Sequence, residues 1–504
     1  MSCPKKVSYL IAGAVATVLS SAATLAAGPA VAPTAANTYY FAGGSAEPQA
    51  VAVATCNLMN NVDSYSTAVL GKVGANYLLL YGNLKNAIAG VGGAGAAVAV
   101  MYKFNGGSLP NGGVPQTAAG EQLPYPTIAT AFQVPAGGGP GNYCNAGVGT
   151  TTVNDPVAYA LTNNEQPAFG LTDLEASAFI GINNPIAPLP LPVVGAHQGI
   201  YDLVFGFAVS PQVWAQKQNF TYPEVAGILA GAITNWNQLY GDQAPFVNTP
   251  LPAGNIVLLD RNVGSGHKAS SSAEFLGYPQ LGSVALTPNS VSGTGYVGGA
   301  GGGAPPVACG AAFQDIQEGS AGATVSDFNK LNNTVANGGC GGMRAVAILS
   351  MDNPPGIPAN QDVAGTNDYY FVSLDGVFAD AHVPGDDENG AVGTSYDNVI
   401  KGDYHWFYQA NFNTQNPGFL TGGTPQGNLA SAYLTQLKSF SLPGCSGSPG
   451  LQFPGNVPGI VNDLDNAAAL GTCVTVSTRN GLSDQPLFPY NSVPGNITLG
   501  TDPL

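Results

Sequence analysis

Charge is what this 504-residue chain has least of: Asp, Glu, Lys and Arg together make up 8% of it. Positive charge is scarcer still, with 13 Lys and Arg against 29 Asp and Glu and a formal net charge of −16. That balance excludes binding driven by nucleic-acid phosphates or by anionic membrane surfaces. Histidine is rare at four residues, and no CxxC pair or nearby His accompanies the cysteines, which excludes a structural zinc site. His197, His382 and His405 stand apart from each other and from carboxylates at metal spacing, so they read as structural or surface residues. Asp380 with Asp386-Asp387-Glu388 lacks the spacing of an EF-hand and reads as a solvated acidic loop. Internal repeats of fixed period are absent. Past the first 27 residues, no apolar run reaches membrane-spanning length without Gly, Pro or polar interruption.

What is plentiful is glycine (69) and proline (39), so the chain is loop-rich and its surface polarity must come from Asn, Gln, Ser and Thr. The runs at Gly90–Gly95, Ala136–Gly141 and Gly298–Pro306 have no strand-to-helix context and read as loops rather than nucleotide-binding turns. At the N-terminus, Lys5 and Lys6 precede an apolar stretch from Tyr9 to about Ala27. This is the layout of a secretory signal peptide over residues 1–27, with cleavage at Ala26 or Ala27; Ala32 is disfavoured by Pro33. The stretch is short and Ala/Ser/Thr-rich for a transmembrane anchor, and Cys3 lies ahead of it, away from a lipid-acceptor position. Loss of Lys5 and Lys6 leaves 11 basic residues against 29 acidic ones, a net −18. Export also fits the six remaining cysteines, Cys56, Cys144, Cys309, Cys340, Cys445 and Cys473, whose even number implies three disulfides. Nearest-neighbour pairing is expected: 56–144, 309–340 and 445–473. The last two would staple Gly-rich excursions, each worth about 3 kcal/mol by loop closure.

The mature length exceeds one ordinary core and implies two lobes or more. Short buried strands alternate with helices, the mark of an α/β protein. Strands are expected at Asp202–Val209, Asn255–Asp260, Ala345–Ser350 and Tyr369–Leu374, with Tyr39 and Tyr40 opening the first. Thr221-x-x-Glu224 forms a capping box with Pro223 in the first turn. Val225, Ile228, Leu229 and Ala232 then give one apolar helix face. A second helix is expected from Ser265–His267 to Phe275, and a third from Leu429 to Phe440 with Tyr433, Leu434 and Leu437 on one side.

The stretch Gly254 to Lys268, G-N-I-V-L-L-D-R-N-V-G-S-G-H-K, carries the most chemistry. An apolar strand ends at an Arg, and Gly264-Ser265-Gly266 turns the chain into a helix. Such a turn aims unpaired backbone N–H groups at one point. Ser265 either caps the helix or donates to a ligand, Gly266 permits close approach, and Arg261 offers a bidentate fork for an oxyanion. An ordinary strand–turn–helix with a surface Arg is the competing reading of the same residues. Ser265-x-x-Lys268 also satisfies the S-x-x-K nucleophile pattern of acyl-transfer enzymes, but the S-D-N and K-T-G elements that accompany it are missing.

Gly231-Ala-Ile-Thr-Asn-Trp-Asn-Gln238 followed by Ile256–Lys268 resembles the paired signature of phosphate-binding proteins from phosphate ABC importers. Other blocks follow in the same order. Phe41–Pro48 resembles the family's opening "G-A-G-A-T-F-P", Tyr102–Ser108 its "Y-x-x-x-G-S-S" loop, and Phe169–Asp173 its "F-G-x-S-D" loop. Val193–Val209 and Gly341–Leu349 resemble later strands. The resemblance implies a two-lobed periplasmic-binding-protein fold (type II), α/β with mixed sheets, its lobes discontinuous and joined by a hinge. Residues 37–206 and 405–504 would form one lobe and 207–404 the other. Arg261, Ser265 and Gly266 fall on ligand-contacting positions, Asp173 on a carboxylate that accepts from the ligand, and Ser108 (or Gly107) on a hydroxyl donor. His267 replaces a Thr that donates from the helix start, Ala46 replaces the Thr of the first loop, and Val263 stands where the family has an Asp beside the Arg. Taken alone, Asp173 also reads as a turn or N-cap residue before Leu174. Trp236 and Trp406 are expected to pack at lobe cores or near the hinge.

A carboxylate facing an anion selects one that brings its own proton, as phosphate does and sulfate does not. The implied function is capture of phosphate or a related oxyanion outside the cytoplasm, in the periplasm or secreted, with delivery to an ABC importer permease. No cofactor, no metal and no catalysis are implied. The alternative is a secreted structural or adhesion protein that keeps the fold with a degenerate site. A secreted phosphatase would need a metal site or an activated nucleophile, and the sequence assembles neither.

Overall fold

The structure is a computed structural model and describes residues 37–68, 76–104, 107–113, 122–125, 153–154, 163–174, 179, 196–276, 313–332, 344–351, 353, 369–379, 398–399, 403–416, 418–438 and 460–461. The expected leader, His382, the acidic loop at 380–388 and every mature cysteine except Cys56 lie outside these residues. Cys56 itself is buried and disulfide-bonded.

Up to residue 174 the chain forms β1 (Thr38–Gly43), β2 (Met59–Ala68), β3 (Asn76–Leu84), β4 (Ala97–Lys103), β5 (Leu123–Tyr125), β6 (Val153–Asn154), β7 (Asn163–Glu165) and β8 (Phe169–Thr172). Helices α1 (Pro48–Leu58) and α2 (Ser108–Gly112) lie between them. The long strand β9 (Ala196–Val209) leads to α3 (Pro211–Trp214), β10 (Asn219–Phe220), α4 (Tyr222–Leu229), β11 (Val257–Arg261), α5 (Gly266–Leu276), β12 (Gln314–Glu318), α6 (Ala321–Asn332), β13 (Ala345–Ser350), β14 (Tyr370–Phe371) and β15 (Ser373–Leu374). The chain then returns through β16 (Phe407–Thr414), α7 (Pro425–Leu437) and β17 (Ile460–Val461).

One mixed sheet runs β12-β11-β13-β9-β16-β8-β1-β4-β3-β2-β6, with β14 and β17 also on β9. Both faces of the central strands are covered: β1, β11, β13 and β16 are buried at every position, including the polar Gln409, Asn411 and Asn413 of β16 and Asp260 and Arg261 at the end of β11. Pairing on β9 changes partner part-way, from β16 over Ala196–Val204 to β13 over Phe205–Val209. That register positions the site. Through β16, Thr172 at the end of β8 lies level with Gly199, while Ser350 at the end of β13 lies level with Phe205. The parallel sets β8-β1-β4 and β12-β11-β13 therefore point their carboxyl ends at one line across the middle of β9. The crevice outside strand carboxyl ends is where open α/β sheets place ligands.

The capping box of α4 forms as the sequence implies: Glu224 N donates to Thr221 Oγ1 at 3.3 Å, and Thr221 N donates to Glu224 Oε2 at 2.8 Å. The third expected helix starts four residues early, at Pro425, because Thr424 caps it by accepting from Gly427 N. The strand expected over Tyr369–Leu374 is split. Tyr370–Phe371 pairs with β9, and Ser373–Leu374 turns to pair with β10. Trp236 and Trp406 are both fully buried, their indole N–H groups donating to Arg344 O and Ser270 Oγ.

Candidate functional site

Strand β11 ends at Arg261, and a turn through Gly264, in the left-handed region at φ 87°, delivers the chain to α5. Ala269 N donates to Ser265 O, so Ser265 is the N-cap and the N–H groups of the first turn, from Gly266 on, have no acceptor within the helix. The Ser265 hydroxyl is buried and has no hydrogen-bond partner among the described residues. It stands at the positive end of the helix dipole.

Arg261 is 1% exposed and is held by both neighbouring loops. Its Nε donates to Glu318 O at 3.3 Å and its Nη2 to Ser45 Oγ at 3.4 Å. Val263 offers no charge to orient it, and a backbone carbonyl and a hydroxyl do so instead. Ser45 Oγ also accepts from Ala321 N, the first residue of α6, at 3.3 Å. A second helix N-terminus thus aims at the same place.

Asp173 follows β8 and is 1% exposed. Its backbone N–H donates to Ser108 Oγ at 2.8 Å, and Leu109 N donates to Gly264 O at 3.0 Å, which ties α2 to the turn before α5. Two glycines make room for the carboxylate. A Cβ on Gly266 would stand 2.2 Å from Asp173 Oδ2, and one on Gly44 would stand 2.3 Å from Oδ1. Burial pushes Asp173 up, but its close polar neighbours Glu47 and His267 and the Arg261 charge outweigh it and hold the carboxyl below its ordinary range. His267 Nδ1 lies 3.5 Å from Asp173 Oδ2, and Nε2 lies 2.8 Å from Ser350 Oγ. Burial first, then the Arg261 charge, lower His267 to about 4, so the ring is neutral at pH 7.

The structure brings Arg261, Ser265, Gly266, His267, Asp173 and Ser108 to one buried place. Ser108 holds the Asp173 loop, and the His267 ring faces the Asp173 carboxylate. Ala46 contributes only apolar surface to the core, while the hydroxyl of its loop belongs to Ser45, one residue earlier. Sequence reading missed Ser45, Glu47, Ser350 and the start of α6. The Gly-Gly-Ser before Ala46 was the one available signal; the others join the site only through pairing of distant strands. Lys268 is bonded to Asp260 rather than to Ser265, so the S-x-x-K pattern has no base. Among the described residues no group of three or more His, Cys, Asp or Glu is placed to hold a metal ion.

No family model matches the sequence, and no curated protein does. Among solved structures, the chain is similar to a phosphate ABC transporter substrate-binding protein with bound phosphate from Clostridium perfringens. The identity is 12% and the TM-score 0.36, over 80% of this chain and 93% of that one. An ABC-type phosphate transport receptor from Vibrio cholerae gives 12% and 0.29, over 53% and 74%. A phosphate-binding protein from Stenotrophomonas maltophilia gives 14% and 0.27, over 62% and 86%.

Proposed function

We propose that this protein binds phosphate, or an oxyanion of the same protonation chemistry, by closing two lobes around it outside the cytoplasm. One observation carries the reading: a guanidinium, an unpartnered buried hydroxyl and the first turn of α5 converge where Gly266 touches the Asp173 carboxylate. Donors beside a fixed carboxylate acceptor suit an anion that brings a proton. Sulfate would leave two acceptors opposed, a penalty of about 1–3 kcal/mol or more.

The lobes are 37–206 with 405–504 and 207–404, and β9 and β16 are the strands between them. Residues 1–27 act as the export signal, and no helix among the described residues is long and apolar enough to cross a membrane. Delivery to an ABC importer permease completes the reading, which includes no catalytic step. Calorimetry of the mature protein with phosphate, arsenate, sulfate and a phosphate monoester tests it. Phosphate and arsenate should bind and sulfate should not; equal, tight sulfate binding would mean that the Asp173 carboxylate does not face the anion.

One observation favours a second reading, a secreted structural or adhesion protein with a degenerate site. Ser45 Oγ already accepts from Arg261 and from Ala321 N, two donors that an anion would use. Absence of any anion binding would support it.

A further inference from the structure

Glu47 stands at the entry to α1 yet does not cap it; its side chain turns inward and is fully buried. Tyr102 Oη, which donates to Gly44 O at 3.1 Å, lies 3.4 Å from Glu47 Oε2. The same Gly44 edge that crowds Asp173 crowds Glu47: a Cβ there would stand 2.7 Å from Glu47 Oε2. Two carboxyl groups thus flank one glycine at the oxyanion site, opposite the unpartnered Ser265 hydroxyl and the α5 N-terminus. Like charges this close in a dry site do not both ionise; they share a proton.

We infer that Glu47 is the proton-carrying partner of Asp173, and that the site accepts an anion only while this carboxyl pair holds one proton. The inference rests on the oxyanion reading above and adds its regulation. Oxygens of both carboxyls crowd the same edge of Gly44, and Asp173 alone of the two also faces His267, so Glu47 is the one assigned the shared proton. The other titratable groups that face the pair are Tyr102, His267 and Arg261, and Tyr201 faces Tyr102. Burial first, then nearby acidic groups, raise Tyr102 well above its ordinary value, and His267 is neutral, so Arg261 is the cation facing the pair. With one proton, the pair's single negative charge is matched by Arg261. Without it, an incoming anion meets a pocket that is already negative.

Binding should therefore weaken by about tenfold per pH unit once the pair loses its proton, the limit for one linked proton. Calorimetry with inorganic phosphate from pH 6 to 9 tests this on wild type, Glu47→Gln and Asp315→Asn. Glutamine keeps a donor toward Asp173 and cannot titrate, and the ligand's own ionisation is common to all three proteins. From pH 6 to 9 the wild type should lose affinity by tenfold or more beyond any change in E47Q, each protein being referred to its own value at pH 6. Asp315 also titrates near 7 but interacts with Asp260 and Lys268, so D315N should follow wild type. Parallel curves for wild type and E47Q would overturn the inference alone. Absence of phosphate binding by wild type at every pH would overturn the oxyanion reading and this with it. If E47Q does not fold, wild-type titrations at pH 9 in buffers of different ionisation enthalpy decide: about one proton taken up per phosphate supports the inference, and none overturns it.

Discussion

His267 reaches from the start of α5 to Asp173 at the end of β8, Nδ1 lying 3.5 Å from Oδ2, so the ring joins the two parallel strand sets directly. With Nε2 on Ser350 Oγ, both ring nitrogens face protein groups. The imidazole faces Asp173, and on the proposed reading the anion donors are Arg261, Ser265 and backbone N–H groups.

That arrangement sets an acid limit. An unfolded His takes a proton near 6.5 and the folded one near 4, so between those values the unfolded chain binds more protons and stability falls as pH falls. His267→Gln should flatten this decline. Urea midpoints of wild type and variant, measured from pH 7 to 4, should converge toward the acid end; identical slopes would show that the ring is not the group that titrates.

Asp315 acts in the opposite direction. Burial, then the charge of Asp260, raise it to about 7 against the pull of Lys268, and its carboxylate oxygens have no hydrogen-bond partner among the described residues. From about 4 to 7 the unfolded chain ionises while the folded one does not, so stability falls as pH rises and stays low above 7. Asp315→Asn should stabilise the protein at pH 8 by on the order of 1–2 kcal/mol and have little effect at pH 4. Denaturant midpoints at the two pH values check it.

Arg261→Ala should abolish phosphate binding in calorimetry, a loss of about 100-fold or more, because the remaining donors cannot replace a buried guanidinium. Arg261→Lys should recover only part, since an ammonium lacks the fork that reaches Glu318 O and Ser45 together. Retained binding in R261A would place the anion elsewhere.

Gly266→Ala distinguishes a ligand turn from an ordinary helix start. Inside a helix alanine is ordinarily favourable by about 0.5–1 kcal/mol over glycine, so an ordinary first turn would not lose stability by the change. Its methyl would lie 2.2 Å from Asp173 Oδ2, so the variant should be less stable by about 1–3 kcal/mol and should bind phosphate weakly. Thermal denaturation and calorimetry report the two effects separately.

Local chemistry was legible in the sequence where one segment holds all of it. The Thr221–Glu224 box, the strand ending at Arg261 and the turn through Gly264 each need only neighbours in the chain. The split of Tyr369–Leu374 was hidden because both halves are equally apolar; only the competing edges of β9 and β10 divide them. Glu47 and Ser350 gave no local sign either. Ser350 meets the site through the register that β9 sets between β13 and β16, and Glu47 through the pairing of β1 with β8.

Ser45 is an internal acceptor for two of the proposed anion donors. One hydroxyl oxygen receives both Arg261 and the first N–H of α6. An incoming oxyanion would therefore displace an internal partner rather than fill a bare pocket. Its measured affinity would report the difference between two sets of contacts, and a Ser45→Ala protein would bind more tightly than its hydrogen-bond inventory alone implies.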